Sequence, residues 1–270
     1  FHNFKGYDSK MLVEAIKDFP HVEFAPVMEN SEKIKCMNMS WSDENKNKFS
    51  CRFIDSLMHM NASIDQLVRD LANYKPENGT FAEHMQQSNA DQLRSSFPAV
   101  SAHFPSDEKF KLVLRKGVFP YEWFDSLDKL DQTDLLNRQD FYSSLKQETI
   151  SLEDHQFYLK IWTEFEMKTF KDYYSLYLLL DTLLLADVCH AHRTLCMDVY
   201  KLDPFWYISS PSLAWQAALK TTRVSLELLT DYDMYHFVKS GIRGGVSYIG
   251  KKYSEANNKE LGRSEEHTSE

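Results

Sequence analysis

The sequence is poor in cysteine and has no cysteine spacing that would indicate a disulfide framework. Four cysteines are scattered through 270 residues. Such scattered thiols are typical of proteins that stay in the reducing interior of the cell. We therefore expect an intracellular protein. The four residues are Cys36, Cys51, Cys189 and Cys196.

Segments for export or membrane insertion are also missing. No stretch has the charged and apolar regions of a signal peptide. The longest apolar run is short and interrupted by charge, so we expect no membrane partner. The sequence also shows no internal repeat and no low-complexity tract.

An excess of positive charge is absent too. Acidic residues number 40 and basic residues 31, which gives a formal charge of −9. This balance argues against a protein that binds a polyanion over its whole surface. It does not exclude a DNA enzyme that has a basic groove on an otherwise acidic surface. Apolar side chains are plentiful: 43% hydrophobic and 14% aromatic residues indicate a globular protein with a sizeable core.

The spacing of apolar residues predicts a mixed α+β protein. Ser210-Pro211 is expected to start one of the helices, with Ser210 as its N-cap. Residues 73–106 are polar and interrupted, as in loops and short helices. The expected helices cover residues 10–19, 63–71, 107–115, 151–167, 171–201, 213–221 and 231–240. The expected strands cover residues 21–27, 33–39, 49–55 and part of 241–253.

The last eight residues, Arg263 to Glu270, look like the conceptual translation of a sequencing adapter. All eight fit one reading frame of such an adapter. We treat them as an artefact and leave them out of the fold prediction, as for any cloning scar.

A leucine-rich stretch from Leu176 to Val188 contains Asp181 at its centre. The density of leucine predicts a helix that is buried on most of its surface. A carboxylate there needs a compensating charge, hydrogen bond or metal. Tyr177 lies one turn earlier on the same face, so its phenol is expected near the carboxylate. The pair is compatible with a metal site that cleaves phosphodiesters, and also with a core Asp that bonds to a neighbouring group.

Asp8 lies at a predicted junction between a loop and a helix. Such a carboxylate is either a helix cap or a metal ligand, and Asn3 would line the same cleft in the second case. A competing zinc site would use Cys189, His192 and Cys196, which share one face of a helix. Three ligands from one helix with no evident fourth would be an unusual zinc geometry, so ordinary helix packing is the preferred explanation of these residues.

The motifs around these carboxylates resemble the exonuclease motifs of family B DNA polymerases. Asn3-x3-Tyr7-Asp8 is similar to the second exonuclease motif, N-x(2–3)-(F/Y)-D. Tyr177-x3-Asp181 is similar to the third, Y-x3-D. The resemblance extends from Phe1 to about Asn258.

Three further segments resemble motifs of the protein-primed branch of that family. Ser56-Leu57 matches S/T-L-x2-h, and Lys116 occupies the lysine place of K-x2-h. Ile242-Arg243-Gly244-Gly245 is similar to the Y-x-G-G motif, with Ile242 in place of the tyrosine. All five motifs occur in family order, and the chain is most similar to polymerases of Polinton/Maverick transposons and related viruses.

The resemblance implies a ribonuclease H-like domain that removes mismatched nucleotides from a DNA 3′ end by two-metal hydrolysis. Asp8 and Asp181 would bind two Mg²⁺ or Mn²⁺ ions, and Tyr177 would orient the water or the scissile phosphate. Lys116 would stabilise developing phosphate charge. The other DNA contacts implied are those of Asn3, Ser56, Leu57, Arg243, Gly244 and Gly245.

The resemblance also implies a division of the chain. Residues 1–201 would be most of the exonuclease domain, 202–262 the helical start of a polymerase domain, and 263–270 the artefact. The D-x-E motif expected before Phe1 and a D-x2-S-L-Y-P-like polymerase motif after Gly245 are not in this sequence. We therefore expect a fragment that is inactive alone, from a DNA-directed DNA polymerase.

The expected partners are a single-stranded 3′ end, a template–primer duplex and a terminal protein that primes synthesis. Two other interpretations stay open. The chain could belong to a stand-alone 3′–5′ exonuclease, or it could be a transposon-derived DNA-binding remnant without chemistry.

Overall fold

The computed structural model describes residues 1–6, 8–30, 33–245 and 248. Within them the protein is α+β, as predicted, with a three-stranded antiparallel sheet and mostly helices after it. The strands are β1 (Glu23–Met28), β2 (Ile34–Ser42) and β3 (Lys48–Phe53). The helices are α1 (Asp8–Ile16), α2 (Ile64–Leu71), α3 (Phe81–Gln87), α4 (Ala90–Ser96), α5 (Pro98–His103), α6 (Asp107–Val113), α7 (Leu152–Glu164), α8 (Phe170–Tyr200), α9 (Ser210–Thr222) and α10 (Tyr232–Gly241).

The sheet is a meander in the order β1-β2-β3. Glu23 pairs with Ser40 at one end of the β1–β2 ladder, and Met37 pairs with Phe53 in the β2–β3 ladder. The β2–β3 turn is closed by Asp43, whose carboxylate accepts hydrogen bonds from the backbone and side-chain nitrogens of Asn47, both at 2.8 Å. Three local strand predictions are thus confirmed.

Two hydrophobic clusters are found among the described residues. The smaller one packs α1 against β2 through Phe4, Ile34 and Met37. The larger one surrounds the long helix α8, which packs against α2 and α5. Burial of these side chains is the main stabilising term of the fold. The most deeply buried large members are Phe97, Phe110, Tyr158, Phe170, Leu114 and Leu184.

Helix α8 differs from the prediction in how much of it is buried. One side of the helix, with Tyr177, Leu180 and Leu184, is buried in the core. Leu178 on another side is 47% exposed. The expectation of burial on most of its surface is wrong, because leucine density does not reveal which face the partner helices cover. By length and composition alone α8 could cross a membrane, but the core helices of soluble proteins pass the same test, so the expectation of no membrane partner stays a prediction.

Helix ends differ from the predictions by a few residues. α1 ends at Ile16 instead of residue 19, and Pro20 follows shortly after. The N-cap of α9 is Ser209, so the prediction of Ser210 is wrong by one residue. The Ser210 hydroxyl instead donates to the His59 carbonyl at 2.7 Å.

Backbone contacts divide the chain into two compact units, Phe1–Arg223 and Val224–Glu270. The first contains the sheet and helices α1 to α9, and the second contains α10. The predicted division of functions at residue 201 stays a prediction. Residues 242–245 form no strand, and most of the predicted final strand and residues 263–270 lie outside the described residues.

Candidate functional site

Tyr177 and Asp181 lie one turn apart on α8, which places the phenol and the carboxylate on the same side of the helix. The Asp181 side chain is 29% exposed. Burial raises the pKa of Asp181 above its usual value, and Lys116 and Tyr177 counteract part of that rise. The carboxylate is therefore partly desolvated but open on one side, as a ligand-binding carboxylate must be.

Lys116 supplies a positive charge to this carboxylate. Its Nζ lies 3.9 Å from Asp181 Oδ2, and its side chain is 35% exposed. An ion pair this exposed contributes less than about 1 kcal/mol to stability. The ion pair matters because it brings together two motifs that are far apart in the sequence.

The segment that carries Lys116 is fixed against α8. The Tyr173 hydroxyl donates a hydrogen bond to the Val118 carbonyl. A Cβ at Gly117 would lie 3.2 Å from Cδ2 of Tyr177, so the backbone approaches the ring more closely than a larger residue would allow. The Phe119 ring lies 4.9 Å from the Tyr177 ring between centroids. Lys116 is thus held by its neighbours.

Tyr121 completes a short chain of hydroxyl groups. The Tyr121 and Tyr177 hydroxyls are 2.8 Å apart. Burial raises the pKa of Tyr177 above the ordinary value, and the hydrogen bond to Tyr121 and the negative charge of Asp181 raise it further. Tyr177 therefore stays neutral near pH 7, and either hydroxyl can be the donor in its hydrogen bond with Tyr121. It can orient a ligand, but it is not a base.

The N-terminal segment is held by a carboxylate that the sequence reasoning missed. Asp55 has no solvent exposure. Its Oδ1 accepts from the backbone N–H groups of Asn3 (2.8 Å) and Leu57 (3.0 Å), and its Oδ2 from that of Lys5 (3.2 Å). Asp55 precedes the Ser-Leu motif directly, but nothing local in the sequence reveals partners fifty residues away.

Ser56 and His2 extend this connection. The Ser56 hydroxyl donates to the Phe1 carbonyl at 2.7 Å and lies 3.0 Å from His2 Nδ1, while His2 Nε2 lies 2.9 Å from the Ala62 carbonyl. Burial lowers the pKa of His2, and the nearby Lys116 lowers it as well. Ser56 is 3% exposed, so its hydroxyl is used inside the protein.

Asn3 and Asp8 flank a tight turn. Asn3 has a left-handed backbone (φ 66°), and its amide lies 2.7 Å from the place of a Cβ on Gly6. Asp8 is half-buried at the first position of α1, and Tyr7 lies outside the described residues. Asn3 is exposed and accessible to a ligand.

The remaining predicted residues lie elsewhere. Leu57 is half-buried beside Ser56. Arg243, Gly244 and Gly245 belong to the second compact unit, are exposed, and follow α10. A Cβ at Gly244 or Gly245 would meet no atom within 4 Å, so nothing in the described chain requires glycine there.

Comparisons with protein-family models, with curated proteins and with solved structures found no match. The functional proposal therefore depends on the geometry of the site.

No group of three or more His, Cys, Asp or Glu residues that could hold a metal occurs in the part of the chain that the structure describes. This includes the zinc alternative, in which Cys196 Sγ lies 3.9 Å from His192 Nε2. Cys189 completes no such group with them. The interpretation of these three residues as ordinary helix packing stays a prediction.

A second buried carboxylate was also missed. Asp187 is 1% exposed and accepts hydrogen bonds from the N–H groups of Ala99 (2.7 Å) and Val100 (3.0 Å), at the start of α5. Burial raises the pKa of Asp187, and these two bonds counteract part of the rise. Asp181, on the same helix, is more exposed to solvent than Asp187. This difference in exposure separates a structural carboxylate, Asp187, from a candidate functional one, Asp181.

Proposed function

We propose that the chain is part of a protein-primed family B DNA polymerase and contributes most of its ribonuclease H-like 3′–5′ proofreading domain. The observation that carries the proposal is the convergence of Lys116 with Tyr177 and Asp181. Lys116 was selected from one motif and Tyr177 with Asp181 from another, and random motif matches have no reason to meet in space. The mixed α+β fold is compatible with such a domain.

The convergence supports distinct roles for the three side chains. Asp181 would be a metal-linked carboxylate together with Asp8. Neutral Tyr177 would hold a water or a phosphate oxygen through its hydrogen bonds. Lys116 would offset charge that develops on the phosphate, a contribution that is large where water is excluded.

The metal ions stay a prediction from the resemblance. Carboxylate oxygens suit Mg²⁺ and Mn²⁺, and Asp181 is open to one side. The described residues contain no three-ligand group, so the proposal rests on the contacts of Asp181, Tyr177 and Lys116 and not on a metal-bound step.

The N-terminal segment supports a site for a single-stranded 3′ end. Asn3 is exposed and Leu57 half-buried, so both can touch a strand. The Ser56 hydroxyl is already hydrogen-bonded to Phe1 and His2, so we assign Ser56 the role of holding the N-terminal segment in place. Arg243, Gly244 and Gly245 are proposed to touch the template strand, and the terminal protein and template–primer remain the proposed partners.

Binding of a single-stranded oligonucleotide with a free 3′ end tests the proposal. The label is placed at the 5′ end, and fluorescence anisotropy is measured over a range of salt concentrations. Lys116→Ala should weaken binding and reduce the slope of log K against log salt by roughly 0.7, the value for one lost phosphate contact to a single strand.

The matched control is Lys171→Ala, which removes an exposed lysine at the start of α8. It should leave both affinity and slope unchanged. Equal effects of the two variants, or no effect of Lys116→Ala, would remove Lys116 from a phosphate site and with it the main support for the proposal.

A further inference from the structure

A cleft separate from the proposed site opens between α3, α6 and α7. Its volume is about 330 Å³, within the range of small-molecule sites in proteins. The cleft lies wholly within the first compact unit. Its apolar lining comes from Phe81, Met85, Leu112, Leu114 and Phe157.

Basic side chains line the same cleft. Lys111, Arg115 and Lys160 line it together with the carboxylate of Glu108. Arg115 is paired with Asp154, so the two lysines against Glu108 leave an excess of one positive charge. In a protein of net charge −9, this local positive excess is contrary to the overall balance. An apolar concavity with a few placed charges selects a ligand with an apolar body and an anionic group.

Lys111 retains capacity to donate a hydrogen bond, whereas Arg115 is used within the protein. Arg115 pairs with Asp154 at 2.6 Å through Nη2, but its buried Nε has no partner in the described part of the chain. Lys111 Nζ donates to the Ser88 carbonyl at 2.6 Å and, more weakly, to that of Gln86 at 3.4 Å. These two bonds use two of its three protons.

Lys160 is exposed on α7 and makes no ion pair among the described residues. A ligand anion at the rim of the cleft would therefore displace no protein carboxylate from Lys160.

We propose that this cleft binds an anionic amphiphile, a molecule with an aliphatic body and one carboxylate. The body lies against the apolar lining, and the carboxylate is held by Lys160 and by the remaining proton of Lys111. The proposal does not depend on the exonuclease assignment, because no residue of the cleft belongs to that site.

Calorimetric titration of the 270-residue chain with dodecanoate, below its critical micelle concentration, tests the proposal. We expect saturable binding of one molecule per chain, and no comparable binding of dodecyltrimethylammonium, which has the same tail and the opposite charge. Absence of saturable binding, or equal binding of the cation, would overturn the proposal.

Two variants locate the binding. Ala82→Trp places a large ring in the cleft from an exposed position on α3 and should weaken dodecanoate binding by about tenfold or more, equivalent to about 1.4 kcal/mol. Lys160→Glu should weaken it by about fivefold through loss of a partly exposed ion pair.

Lys171→Glu makes the same charge change outside the cleft and should leave binding unchanged. Thermal melting shows whether each variant is folded, and if Ala82→Trp is not, the comparison of Lys160→Glu with Lys171→Glu decides. Unchanged binding in Lys160→Glu, or an equal loss in Lys171→Glu, would show that the ligand is held elsewhere.

Discussion

Asp55 is a fully buried carboxylate whose oxygens are satisfied by three backbone N–H groups. Such charge-assisted bonds are strong, and their loss leaves buried donors without acceptors. Because two of the donors belong to Asn3 and Lys5, Asp55 fixes the segment that precedes Asp8. It is a positioning residue, since it lies behind the segment that would touch a ligand.

Asp55→Ala should lower the free energy of unfolding by about 3 kcal/mol, because three N–H groups lose their acceptor. Urea denaturation followed by circular dichroism measures this. Asp65→Ala is the control, since it removes an acid from a surface pair with Arg69 and should cost about 0.5 kcal/mol or less. Equal losses in the two variants would mean that the Asp55 bonds are not significant for stability.

His59 is a residue whose protonation should affect stability. It is 8% exposed, its Nε2 donates to the Tyr207 carbonyl at 3.1 Å, and its Nδ1 has no partner in the described chain. Burial lowers the pKa of His59 below 6.5, and the neighbouring His192 lowers it further. The folded state thus binds fewer protons than the unfolded state at mildly acidic pH.

The free energy of unfolding should therefore be fully maintained above pH 6.5 and fall as the pH decreases through the folded pKa of His59. Urea denaturation at a series of pH values down to about pH 5 measures the fall. His59→Gln should reduce the fall and leave the shares of His2 and His192, whose pKa values burial also lowers, whereas His103→Gln, at an exposed position, should leave it unchanged. An unchanged pH dependence in His59→Gln would contradict this account.

Among the structural elements, the short helix α5 depends on a cap from a distant helix. Its own N-cap residue, Phe97, makes no side-chain cap bond. Asp187 on α8 supplies the missing acceptor for two of the first N–H groups. The six-residue helix is therefore stabilised by its neighbour more than by its own sequence.

Asp187→Ala should destabilise the protein by about 2–3 kcal/mol and accelerate amide hydrogen exchange at Ala99 and Val100. Asp198→Ala, at an exposed position of the same helix, is the control and should alter neither. Exchange at Ala99 and Val100 that stays slow in Asp187→Ala would show that the α5 cap does not depend on this carboxylate.

The segment around Lys116 reaches its position because Gly117 allows close contact with α8. Gly117→Ala would introduce a Cβ at 3.2 Å from the Tyr177 ring, which forces the segment or the ring to shift. We expect a loss of about 1 kcal/mol in unfolding free energy, measured by urea denaturation. Gly241→Ala is the control, because a Cβ there meets nothing within 4 Å. No difference between the two would mean that the close approach is not required.

Local patterns predicted most of these elements. The strands follow from alternating apolar residues, and α2 follows from Ser63, whose side chain caps it as expected of a serine before an apolar period. The exposed face of α8 and the cap of α5 could not be predicted, since both depend on which elements pack together. The same limit applies to Asp55 and Asp187, whose partners are distant in sequence.

At the scale of the whole molecule, the residues of the candidate site were proposed from motif order, while their geometry could not be predicted. Lys116, Tyr177 and Asp181 lie close together. His2, next to Asn3, is near enough to Lys116 for that positive charge to lower the pKa of His2. Arg243 to Gly245 belong to the other compact unit, so their role stays a prediction. A chain with a net negative charge can still contain a candidate DNA site, because such a site needs only a few basic residues at one place on the surface.

The most direct test of the proofreading assignment is binding of a single-stranded 3′ end with and without Mn²⁺, measured by fluorescence anisotropy. We predict that Mn²⁺ strengthens binding to this chain, and that Asp8→Ala and Asp181→Ala each remove most of that metal dependence. Asp128→Ala, at an exposed position, should retain it. Metal-dependent binding that is unchanged in both Asp8→Ala and Asp181→Ala would contradict the assignment.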